Sequence, residues 1–187
     1  MSEDNTDCRF QATLARDVLN DCWEALRELR EDPLGQTWRI RWVGSLALLR
    51  TVREVLTNVD AKTKPYLKPG IDKWYARMGE TKPDIYWNFI MKDTNNILHE
   101  YRFSAMQLVT FSVAGEEYKG LRTVKTSATS PAPPTTPLEG ERIAEQTYLM
   151  KDGPFEGQDQ RDVVEEAINW WKEQIDEIEL RAAGSAN

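Results

Sequence analysis

Residues 83–103, PDIYWNFIMKDTNNILHEYRF, decide the fold, and they hold the only histidine among 187 residues. At roughly 100° per residue, Asn88, Lys92, Asn95 and His99 fall along one helical stripe about 40° wide. Tyr86, Ile90, Ile97 and Tyr101 gather on the opposite side, with Trp87 and Leu98 beside them. The stretch therefore reads as a helix from about Pro83, where proline suits a first turn. One face is apolar, and the other carries amides, an amine and an imidazole in a row. Any chemistry is expected there.

Upstream of this helix, Pro65, Pro69 and Gly70 mark a break, and Ile71 to Met78 reads as a short helix closed by Gly79. Further back, residues 36–61 form a helix that is apolar on most sides through Trp38, Leu46, Leu49, Val52, Leu56 and Val59. Such a helix is usually central. The first helix spans about Asp7 to Arg30, with Leu14, Val18, Cys22, Leu26 and Leu29 as its apolar stripe.

Downstream, Val109, Phe111 and Val113 alternate with Thr110 and Ser112, a period of two that predicts a β-hairpin across 108–124. Residues 126–137, TSATSPAPPTTP, have no side chains with which to build a core and read as a linker. Gln146 to Met150 reads as a further strand. Asp159 then caps a final helix whose Val164, Ile168, Trp171, Ile175 and Ile178 recur at 4, 3, 4 and 3. That is a short heptad seam suited to docking on a bundle. The expected architecture is mostly α, a four- or five-helix bundle with a small β-hairpin appendage. Residues 1–124 form the bundle, 125–140 the linker and 141–187 a segment that docks back, one domain overall.

Composition sets bounds on function. With 40% apolar and 29% charged residues the chain reads as an ordinary globular protein. No stretch nears the ~20 apolar residues that span a bilayer, and the acidic opening MSEDNTD has no signal-like apolar region. A cytoplasmic location and no membrane partner are expected. Cys8 and Cys22, 14 apart on one helix, are too distant for a disulfide and read as small core side chains. The net charge of −7 is uneven. Residues 159–180 carry eight acids and two bases, whereas residues 38–53 carry four arginines and no acid.

Asn95-Asn96-Ile97-Leu98-His99-Glu100-Tyr101, late in a long helix of an all-α bundle, resembles the HEPN superfamily. Its members are four- or five-helix proteins, many of them dimeric ribonucleases. Their signature is an arginine, four to six residues of which the first is often polar, then a histidine. Here His99 and Asn95 take the last two roles. The arginine is replaced by Thr94, Asp93 or Lys92 at the three allowed spacings, and only Lys92 keeps a cation. Lysine lacks the fork that grips phosphate in two places. The resemblance implies RNA- or nucleotide-directed activity with His99 as proton carrier, Lys92 as anion holder and Asn95 orienting either.

Asn88 extends that face as a candidate binding residue. Arg39, Arg50 and Arg53 project within about 60° of one another and are candidates for RNA phosphates. The structural alternative pairs them with Glu165, Glu166 or Glu173 of the last helix. Trp170-Trp171 reads as one core and one rim residue more readily than as a base-stacking platform. No P-loop, dinucleotide fingerprint, hydrolase elbow or zinc-ligand motif occurs, so no cofactor or metal is expected. Two functions follow. One is a HEPN-like RNA- or nucleotide-directed protein acting through His99. The other is a non-enzymatic module that binds a protein partner. Either is expected as a homodimer.

Overall fold

The computed structural model describes residues 10–31, 35–113, 116–122 and 141–184. Cys8, the 126–137 linker and the Asp7 helix start lie outside the described residues. The chain divides into two compact units, Met1–Thr94 with Val164–Asn187, and Asn95–Val163. The mostly helical bundle with a small β appendage is the observed class.

In the first unit, α1 spans Thr13–Leu29 and buries Ala15, Leu19, Cys22, Leu26 and Leu29. The second half of the expected stripe holds, but the first half is displaced by one residue. Leu14 is exposed and Val18 half-buried. A strict spacing of four advances about 400° per step and drifts off a straight face, whereas 15, 19, 22, 26, 29 alternates four and three and stays on it. Burial pushes the Cys22 thiol up to about 12, which suits an inert core side chain.

Helix α2, Gly35–Val55, buries Trp38, Trp42, Leu46, Leu49 and Val52. It runs on through a π-helical turn, Leu56–Asp60, into the single turn α3, Ala61–Thr63. The wide turn ends on Asp60, which is 1% exposed. Its carboxylate accepts the backbone N–H groups of Leu14 and Ala15 at 3.3 and 2.8 Å. Ala12, at the N-cap of α1, has no side-chain cap of its own. The negative charge therefore comes to the α1 N-terminus from far along the chain, where the helix dipole favours it.

Helix α4 spans Lys68–Thr81, longer than expected, because Gly79 lies within it rather than closing it. The stop comes from Pro83, which disfavours helical backbone at the preceding residue. Lys82 there adopts φ 42°, and its N–H bonds back to the Met78 carbonyl. Near the start of α4, a Cβ added at Gly70 would lie 2.7 Å from the backbone oxygen of Ile178. Glycine is what lets α4 touch the last helix. Gly70→Ala should therefore cost about 1–3 kcal/mol by forcing the two backbones apart. A chemical-denaturation midpoint equal to wild type would refute this.

The expected single helix from Pro83 is two elements. Ile85–Met91 is π-helical and α5 is Lys92–Glu100. A π turn closes on i→i+5 and so takes an extra residue, which rotates later side chains by up to roughly 100° against an α reading. The buried set follows this wider turn. It is Ile85, Tyr86, Phe89, Ile90, Asp93, Thr94 and Ile97, a doublet repeating every four residues. Trp87, Leu98 and Tyr101, expected on or beside the core face, are instead 40%, 60% and 51% exposed.

Helix α6 is Gln160–Gly184. The Asp159 carboxylate accepts the Arg161 N–H at 2.8 Å, the cap expected of it. The expected seam of Val164, Ile168, Trp171, Ile175 and Ile178 is fully buried.

The second unit is built on β1 (Ala105–Val113), β2 (Glu116–Arg122) and β3 (Glu141–Met150), an antiparallel sheet in the order β2-β1-β3. The expected hairpin is present as β1-β2. It is extended to three strands because β3 pairs along the whole of β1, with an irregularity between Thr110 and Phe111.

Candidate functional site

Asn88, Lys92, Asn95 and His99 are all exposed. Asn88 and Lys92 belong to the first unit, Asn95 and His99 to the second. The Asn88 amide donates to Asp84 at 2.5 Å, an i,i+4 contact on its own helix. Of the three positions where the HEPN-like signature would place its arginine, Asp93 and Thr94 are buried and only Lys92 is exposed. The Thr94 hydroxyl donates to the carbonyl of Ile90 at 2.5 Å.

Among the described residues no ion pair joins Arg39 or Arg53 to the last helix. Glu165 is bonded to Arg30 at 2.6 Å, Glu179 and Asp176 to Arg16, and Glu177 to Arg77 and Arg181. The acids of α6 are thus met largely by α1 and α4. Arg39 and Arg50 are half-buried, and Arg53 turns to its sequence neighbour Glu54 at 3.4 Å. Among the described residues no group of three His, Cys, Asp or Glu side chains could hold a metal. Among them, too, no helix is long and apolar enough to cross a membrane.

A different set converges on Arg53, all of it in the first unit. Its guanidinium lies 5.7 Å from the centre of the Tyr75 ring. Burial pushes the Tyr86 phenol above its ordinary range, against the opposing pull of the Arg53 charge. The Arg53 Nε is buried with no hydrogen-bond partner among the described residues. Tyr86 is the floor, with ring centres of Trp87 at 5.1 Å and Trp170 at 5.6 Å. Trp74 and Trp171 back it from the core at 6.3 and 5.9 Å. The Trp87 indole is pinned by its N–H on the Met78 carbonyl at 3.1 Å. Trp170 is half-buried and Trp171 fully buried, the rim-and-core pair expected.

Tyr75, Trp87 and Trp170 come from three helical elements, Tyr86 is in ring contact with both tryptophans, and the cation beside Tyr75 comes from a fourth element. Sequence periodicity does not reveal these residues because they are far apart in the chain and an α-helical period sets Trp87 beside the core face. The excess of tryptophan, seven residues, was the one available signal.

Fold and surface together define a helical-bundle protein with an exposed aromatic–arginine patch. Compared with known proteins, the chain matches no family model, no curated protein and no solved structure.

Proposed function

We propose that this chain is a non-enzymatic module that binds a protein partner through the Tyr75, Trp87 and Trp170 rim around Arg53. The observation that carries this reading is the exposure of Trp87 and of Tyr75, whose ring lies against the half-buried Arg53 guanidinium. Tyrosine, tryptophan and arginine dominate the energetic centres of protein interfaces, because each combines large contact area with a polar handle. Tyr75→Ala is expected to weaken the partner complex by about 2 kcal/mol or more, roughly thirtyfold in Kd. The measurement is affinity capture followed by titration, with melting temperatures of both forms. A partner held equally well by the variant would sink the proposal.

A second reading, an RNA- or nucleotide-directed HEPN-like protein, rests on the common exposure of Lys92, Asn95 and His99. Against it, no described carboxylate or carbonyl fixes the tautomer of His99, and a proton carrier needs that orientation. The expected result is that wild type does not cleave mixed single-stranded RNA. His99→Ala should also melt within about 0.5 kcal/mol of wild type, as for other exposed positions. Cleavage by wild type that His99→Ala abolishes would replace the first reading with the second.

A further inference from the structure

We infer that Asp152 is a site of spontaneous covalent modification, where the native chain converts aspartate to isoaspartate through a cyclic imide with Gly153. The site belongs to the second unit and does not depend on the protein-binding reading above.

Lys151-Asp152-Gly153-Pro154 is the exposed tip of the loop that follows β3. It holds the only Asp-Gly step of the chain, which has no Asn-Gly step. Such a step marks a turn because glycine adopts the positive φ that other residues resist. Gly153 does so at φ 84°, and a Cβ added there would meet nothing within 4 Å. Without a side chain of its own, Gly153 leaves its nitrogen open to the carboxyl that precedes it. Among the described residues its N–H donates no hydrogen bond.

The loop is fastened on both sides of this tip. The Lys151 N–H donates to the Ser104 carbonyl at 2.6 Å, and the Met150 N–H to that of Gln158 at 2.8 Å. The Gly157 N–H donates to the Met150 carbonyl at 2.9 Å, and Phe155 is buried between these anchors in sequence. The Asp152-Gly153 step is left outside the fastened frame, where water reaches it.

The reaction needs no reagent other than water. The Gly153 nitrogen bonds to Cγ of the protonated Asp152 carboxyl, and the amide proton leaves with the carboxyl hydroxyl as water. Water that then breaks the new bond to Cγ restores aspartate. Water that breaks the original peptide bond leaves the chain running through Cβ and Cγ, with the former main-chain carbonyl as the free carboxylate. No atom is gained or lost overall, and the backbone is longer by one methylene.

The test ages the full chain at neutral pH and physiological temperature, beside the free peptide of residues 149–158. Proteolytic mapping should resolve a second species of unchanged mass that contains Asp152 and Gly153. Its rate in the folded chain should lie within about tenfold of that in the peptide. Asp152→Glu, an exposed substitution that keeps the charge but disfavours the ring, should abolish it, with melting curves to establish folding. Gly153→Ala should slow it in the peptide as well as in the chain, because a Cβ crowds the attacking nitrogen. A folded chain that ages more slowly than this range would show that the turn guards the step, and would overturn the inference. So would a product that persists in Asp152→Glu.

Discussion

Replacing Trp171 by alanine is expected to lower the unfolding free energy by about 3–5 kcal/mol, the range for deleting a buried tryptophan side chain. The residue has no exposed surface, and its ring lies 5.6 Å from that of Trp74 and 5.9 Å from that of Tyr86. The loss combines the transfer free energy of the indole with a cavity between α4, α6 and the π-helical turn. Rigid aromatic neighbours cannot relax to fill it. Trp171→Phe should cost much less, because the Nε1 of Trp171 is buried without a partner among the described residues. Phenylalanine keeps most of the ring while removing a donor that has nothing to donate to. Urea unfolding of the three proteins measures this. A Trp171→Ala protein within 1 kcal/mol of wild type would mean that the seam does not anchor α6.

The seam that holds Trp171 was legible in the sequence because a straight α-helix obeys one period from end to end. Val164 through Ile178 kept the 4, 3, 4, 3 spacing and all five are buried. Helix α2 was legible for the same reason, through Trp38, Leu46 and Leu49. The π-helical turn at Ile85–Met91 broke that rule. An α reading sets Trp87 beside the core face and passes over Asp93 and Thr94, which are buried. The β1-β2 hairpin followed from local alternation, whereas the full length of β3 depended on pairing with residues 28 to 45 positions earlier, from Val113↔Glu141 to Ala105↔Met150. The patch around Arg53 could not be read at all. Its members stand at positions 53, 75, 86, 87 and 170, and only tertiary packing unites them.

Asp60→Ala is the second substitution with a large expected cost, about 2–4 kcal/mol, and its origin is electrostatic rather than volumetric. Hydrogen bonds to a charged group contribute about 1.5–3 kcal/mol each, and a helix N-terminus adds favourable interaction with a negative charge. Asp60 makes two such bonds, to Leu14 and Ala15, in a buried setting where water cannot replace it. Alanine would leave both N–H groups of the first turn without an acceptor. The adjacent contact from Glu179 to the Ala12 N–H at 2.7 Å reaches a different donor, so it cannot compensate. Asp60→Asn should recover about half of the loss, since it retains one acceptor oxygen but not the charge. Hydrogen exchange separates this effect from general softening. In Asp60→Ala the amides of Leu14 and Ala15 should lose more protection than those at the α1 C-terminus near Leu26 and Leu29. Uniform loss along α1 would show instead that Asp60 acts through packing. A variant as stable as wild type would mean that the buried carboxylate contributes nothing net. The expected pattern requires the π-helical turn, because excising one residue from Leu56–Asp60 would rotate the carboxylate by about 100° and carry it off the α1 N-terminus.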